Sequence, residues 1–211
     1  MMQREDVLRR YRHLRAIGTH HHSAALKFLA RPALVEHARR LGLLIGRTLI
    51  ANSEEEMTLV FDLAIYTAKD GRSRAIDRYA KVAQLRPDSD ERLMLEAMCN
   101  AQFSIWRVAR QHDKCRLVVN DVLRQSEAWL VDEVLELSGM CFAGPLCGAD
   151  LFAITGGVVV PVDLPMLEDV LTDVLACRHA DIERIGGDPR FAAAIYRAAL
   201  DAGVMDDVVF N

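Results

Sequence analysis

Long apolar runs are missing from this 211-residue chain. None approaches the ~20 residues that a membrane-crossing helix needs, so a membrane is not expected as a partner. Met1 to Arg15 holds arginines in place of an apolar signal core, and Glu5 and Asp6 argue against an organelle transit peptide. Cysteine is sparse and odd in number: Cys99, Cys115, Cys141, Cys147 and Cys177. Unpaired, widely spaced thiols without a signal peptide predict free cysteines in a reducing cytoplasm. There is no Walker loop, no HExxH pair and no nucleophile elbow, and Gly156-Gly157 lacks the strand–GxGxxG–helix setting of a dinucleotide site. No cofactor is therefore expected. Repeats, low-complexity tracts and flexible linkers are absent too. What remains is ordinary globular composition, 51% apolar and 27% charged, with length enough for a sizeable core.

The most informative positive feature is a double change of apolar period. Val7, Leu8, Tyr11 and Leu14 predict a helix over 4–17 that ends at Gly18, followed by a short helix from Ser23 to Ala30. Pro32 suits the first turn of a third helix. Ser53 and Glu56 read as a capping box opening a helix with Met57, Val60, Phe61, Ala64, Ile65 and Ala68 on one stripe. Ser73–Leu85 and Ser89–Ala101 repeat the pattern. From Phe103 to Val162 the residues alternate or run together as in strands. Strands are predicted at Phe103–Ala109, Cys115–Val119, Ala128–Leu135, Met140–Ala143, Leu151–Thr155 and Val158–Val162, with Gly156-Gly157 as a hairpin turn between the last two. Pro161 suits an edge strand. After Pro165 the helical period returns through about Ile185. Asp188-Pro189 then caps a last helix carrying Phe191, Ala194, Ile195 and Ala198.

The predicted fold is therefore α+β: a helical N-terminal segment (1–102), a small antiparallel barrel-like sheet (103–163) and two C-terminal helices packed on it (164–211). Both faces of the 128–135 strand are partly apolar, which suits a curled sheet covered by helices.

The polar clusters that could carry chemistry are few. His20, His21 and His22 are candidate metal ligands, with His13 or His37 to complete a set; three adjacent imidazoles cannot all converge from one helix. Asp121 and Asp132 flank a polar turn at 124–127. If their strands pair, two carboxylates could meet and hold a hard cation. His112, Cys115, Cys141 and Cys147 form a loose second set without zinc-knuckle spacing. His179 and Glu183 are one helical turn apart and read as a local pair.

Charge is unevenly distributed. Residues 1–48 hold ten Lys/Arg and three acids, a net +7, which leaves -11 on the remainder of a chain whose total is -4. Ala38-Arg-Arg-Leu-Gly before Gly46-Arg-Thr-Leu looks faintly like a helix-turn-helix, but Glu54, Glu55 and Glu56 follow at once and would repel phosphates. Nucleic acid is thus disfavoured as a partner. The arginines are expected to dock on acidic groups of the same chain or of a second copy, which would make a homo-oligomer.

Leu117-Val-Val-Asn-Asp-Val-Leu followed by Trp129-Leu-Val-Asp-Glu resembles the small-barrel segment of some uncharacterised bacterial proteins. The resemblance covers roughly residues 103–162 and implies no activity. The reading is a cytoplasmic, non-catalytic binding or assembly protein whose partner the sequence does not name. The alternatives are a metal-dependent enzyme using the His or carboxylate cluster and a DNA-binding regulator.

Overall fold

The computed structural model describes residues 3–46, 48–51, 53–68, 72–113, 116–133, 141–176 and 185–203. Five helices come first: α1 (Arg4–Leu26), α2 (Arg31–Arg40), α3 (Glu54–Tyr66), α4 (Ala75–Ala80) and α5 (Asp90–Cys99). A two-stranded hairpin, β1 (Leu44–Ile45) with β2 (Thr48–Leu49), sits between α2 and α3. Six strands follow: β3 (Gln102–Gln111), β4 (Leu117–Asp121), β5 (Glu127–Leu130), β6 (Cys141–Ala149), β7 (Phe152–Thr155) and β8 (Val160–Val162). Helices α6 (Leu164–Ala176) and α7 (Pro189–Asp201) close the described chain. The α+β class is as the double change of period predicts.

Two of the predicted N-terminal helices are one. Gly18 does not end α1: the helix runs on to Leu26, with Gly18 buried in its interior against Met94 of α5. The faint helix-turn-helix likeness has no second helix here: Leu44–Ile45 and Thr48–Leu49 pair as β1 and β2. Ser53 caps α3 as expected, its hydroxyl accepting from the Glu56 amide. The buried face of α3 is wider than the predicted stripe and includes Leu59, Val60, Asp62, Leu63, Ala64, Ile65 and Tyr66, while Met57 and Phe61 are half-buried.

The sheet is a closed ring of five strands in the order β3-β4-β5-β7-β6, with β6 returning to β3. Strand β6 lies beside β3, which leads to β4 and β5, the Greek-key order. All pairings are antiparallel except β5–β7, where a parallel contact at Leu130 and Ala153 shuts the ring. The barrel is therefore not wholly antiparallel. A bulge near Val108–Arg110 bends β3 so that it serves both β6 and β4. Strand β6 runs well past Ala143, because Gly144-Pro145 continues the ladder opposite Ser104 and Phe103. Strands β7 and β8 do not form a hairpin; both pair with β6 along one edge, and Pro161 stands on edge strand β8.

Trp106, Val108, Leu117, Val119, Leu130, Phe142, Leu146 and Ala153 fill the barrel. The Trp106 indole N–H donates to the Gly144 carbonyl at 3.0 Å. Outside it, α2, α3, α6 and α7 share one apolar cluster with Phe103, Ile105, Ala143 and Val160. Helices α1, α4 and α5 share another with Val131, Cys147, Phe152 and Ile154. Helical and β segments therefore share both cores.

Candidate functional site

On a helix successive residues point about 100° apart, and α1 sends its three histidines to three places. His20 is exposed. His21 is buried, with Nε2 at 2.8 Å from the Glu91 carbonyl and Nδ1 at 3.0 Å from the Tyr79 hydroxyl. A carbonyl only accepts, so Nε2 carries the proton and Nδ1 accepts from Tyr79. His22 Nε2 lies 2.7 Å from the Tyr66 hydroxyl, which itself donates to the Gly156 carbonyl, so His22 is the donor of that pair. Burial, then the Arg15 charge, pushes the His22 imidazole down to about 4. His13 bonds Asp90 at 2.9 Å. His37 is buried on α2, and burial followed by Arg40 lowers it to about 4.

The two aspartates lie at opposite ends of β5. Asp121 anchors the β4–β5 turn: its Oδ1 accepts from the Ser104 hydroxyl (2.6 Å) and the Leu123 and Arg124 amides, and its Oδ2 from the Arg124 guanidinium. Asp132 accepts from the Thr155 hydroxyl at 2.9 Å. Pairing of β4 with β5 sets Asn120 against Glu127 and Leu117 against Leu130, which separates the two carboxylates. Cys141 packs in the α2–α3–α7 cluster, Cys147 in the α1–α5 cluster, and His112 on Trp129, so that set is dispersed as well. Cys115, Cys177, His179 and Glu183 lie outside the described residues. Among the described residues no three His, Cys, Asp or Glu gather as a metal site. Cys99, Cys141 and Cys147 are free thiols.

What the sequence reading missed is a buried polar network around the segment from Thr155 to Val158. The Arg15 guanidinium donates to the Thr155 carbonyl (2.7 Å) and hydroxyl (2.8 Å). Tyr66 holds the Gly156 carbonyl, and Asp62 Oδ1 accepts from the Val158 amide at 3.2 Å. Tyr196 on α7 lies 2.7 Å from Asp62 Oδ2 and 2.8 Å from the Val158 carbonyl. Burial raises the Asp62 carboxyl to about 7 against the opposing Tyr196 and Val158 hydrogen bonds. Burial also pushes the nearby Cys147 thiol up to about 12. Gly156 and Gly157 are glycines because a Cβ would collide with Cys147 Sγ and with the Asp62 carboxylate, respectively. The signal was available: Asp62 is a lone acid among the apolar residues Leu59–Tyr66, with a tyrosine one turn later.

The basic N-terminal segment docks inward in part. Arg10 bridges Asp90 (2.6 Å) and Asp150 (3.2 Å), and Arg12 grips Glu133 at two points. Arg39 and Arg40 pair, among the described residues, with Glu36 on their own helix.

The barrel's remaining outer face is different in kind. Arg107, Asn120 and Glu127 stand in register across β3, β4 and β5, and Arg110, Val118 and Trp129 form the next row on the same side. Trp129 is 44% exposed and stacks on His112, with ring centroids 4.9 Å apart and planes at 34°. Arg107, Arg110 and Glu127 are exposed.

No helix among the described residues is long and apolar enough to cross a membrane. No curated protein and no solved structure matches the chain. A sequence family does: its profile covers residues 5–143, from α1 into β6, and so includes Asp62, Tyr66, His112 and Trp129. The chain belongs to that family, a family of unknown function (DUF7986).

Proposed function

We propose that this protein is a non-catalytic binding or assembly protein of the cytoplasm, in which helices frame a small barrel and leave one barrel face open. One contrast supports the reading. The ionisable groups that could carry chemistry turn inward and bond to the fold: His21 to Glu91 and Tyr79, Asp62 to Val158 and Tyr196, and Asp121 to its own turn. The groups left outward on the barrel are an aromatic ring, two arginines and a glutamate, a set that suits recognition. The three described free thiols agree with a reducing compartment.

Elemental analysis of the purified protein, combined with thermal melts in chelator, tests this. The expected result is no stoichiometric metal and an unchanged Tm. A stoichiometric metal whose removal lowers Tm would overturn the reading in favour of a metal-dependent enzyme.

A further inference from the structure

We infer that helix α7 is a latch closed by one proton: held on the buried Asp62 carboxyl, the proton completes a hydrogen-bonded ring with Tyr196 and Val158, and its loss lets α7 open away from α3. This regulation goes beyond the binding reading and stands without it.

Three elements meet at the ring: Asp62 on α3, Tyr196 on α7 and Val158 between β7 and β8. The Val158 amide donates to Asp62 Oδ1 at 3.2 Å. The Tyr196 oxygen lies 2.7 Å from Asp62 Oδ2 and 2.8 Å from the Val158 carbonyl oxygen, both ordinary O–H···O lengths. A phenol has one proton, and a carbonyl has none to give. Filling both contacts takes a second proton, and the carboxyl is the group that can carry it. Without it, two lone-pair oxygens face each other across one of these contacts in a buried site.

No cation replaces that proton. Among the described residues Asp62 bonds only to Val158 and Tyr196. On α1, Arg15 is bound to Thr155 and His22 to Tyr66; on α4, Arg74 is bound to Asp77. Burial holds His22, and His37 on α2, near 4, and pushes Cys147 on β6 up to about 12. Burial also raises the Tyr66 and Tyr196 hydroxyls well above their usual range. Between about pH 5 and 8 these groups keep their charge, so of the described groups around the ring Asp62, raised to about 7, is the one that changes.

Of the three elements, α7 is the one free to give way. Helix α3 packs in both outer clusters, through Leu59 and Leu63 in one and Ile65 and Tyr66 in the other. The segment before Val158 is pinned by Arg15 at Thr155 and by Tyr66 at Gly156. Helix α7 belongs to one cluster, and three of its six buried residues are alanines, which bury little apolar surface. Its opening hydrates the buried charge and uncovers Phe103 and Ile105 of β3. The carboxyl is near 7 when closed and returns toward 3.8 when exposed, so the proton favours closure. Closure is strongest below 3.8 and weakens as pH rises through about 7.

Hydrogen exchange of the full chain, read by mass spectrometry on α7 and α5 peptides and divided by the intrinsic rate at each pH, tests the latch. From about pH 5 to 8, α7 should be less protected than α5, the mark of local opening. Its protection should fall about tenfold per pH unit up to pH 7 and flatten beyond. Asp62→Asn, which offers a donor at every pH, should abolish the fall. A second measurement needs no variant: with aspartate carboxyl carbons labelled for NMR, one resonance should titrate near pH 7, the pH at which α7 protection flattens. Equal protection of α7 and α5, α7 protection that does not change with pH, or a fall that survives in folded Asp62→Asn overturns the inference. So does the absence of any aspartate titrating between about pH 6 and 8.

Discussion

Replacing Asp62 by Asn should stabilise the protein at high pH and leave it unchanged at low pH. Asp62 is buried in α3, and its carboxyl rises from an ordinary 3.8 to about 7 because burial outweighs its hydrogen bonds. The geometry explains which form the site prefers. When protonated, Asp62 can donate from Oδ2 to the Tyr196 oxygen, leaving the Tyr196 hydroxyl to donate to the Val158 carbonyl while the Val158 amide donates to Oδ1. Those three bonds close a ring. When Asp62 is ionised, the single Tyr196 proton must serve either the carboxylate or the carbonyl. A folded pKa raised above the unfolded one contributes stability that is complete below pH 3.8 and lost as pH rises through about 7. A rise of that size corresponds to at most about 4 kcal/mol. Asparagine keeps the shape and supplies the Nδ2 donor at every pH. His22 and His37 work in the opposite sense: their folded values near 4 give stability that is complete above 6.5 and lost as pH falls toward 4. The parent profile alone therefore mixes opposing slopes, and the informative quantity is the difference between variant and parent. Urea unfolding followed by Trp106 emission at pH 4, 6 and 8 measures it. The difference should be near zero at pH 4 and grow to a few kcal/mol in favour of Asp62→Asn by pH 8. A difference that does not change with pH would refute the reasoning.

Three further outcomes follow from the same packing. Gly157→Ala drives a Cβ into the Asp62 carboxylate and should cost about 1–3 kcal/mol, whereas Gly148→Ala, which meets nothing within 4 Å, should leave the thermal midpoint nearly unchanged. Arg12→Ala removes an exposed pair with Glu133 and should leave the urea midpoint nearly unchanged, while Asp121→Ala strands four buried or half-buried donors and should cost about 2–4 kcal/mol by urea unfolding. Cys147, buried and raised to about 12, should resist a thiol reagent at pH 8 in the native protein and react at once after denaturation; rapid native labelling at that position would contradict its placement.

Periodicity in the sequence determined a great deal: the α+β class, the Ser53 and Asp188 caps, the edge position of Pro161 and the barrel span. Each is a local matter, because helix and strand periods and cap chemistry act over a few residues. Local signals also misled where a neighbour overrode them. Gly18 reads as a helix end, yet it is the point where α5 approaches α1. The predicted strand stops at Ala143, yet β6 runs on through Gly144-Pro145 because β3 supplies the ladder from Phe103 and Ser104. Gly156-Gly157 reads as a hairpin turn, yet the pair makes room for Cys147 and Asp62.

The network around Thr155–Val158 lay beyond the sequence for a different reason. Its members come from α1, α3, β7 and α7, with hydrogen-bonded partners up to 140 positions apart in the chain, and nothing in their spacing announces that they meet. The same holds for the open face. The sequence supplied Trp129 as one residue of a strand; only the closing of the barrel and the siting of the helices decided that this ring stands outside, against His112, while Trp106 stays within. Amphipathic patterning specifies that a face must be covered. Which faces are covered, and which one is left to a partner, is a property of the packed whole.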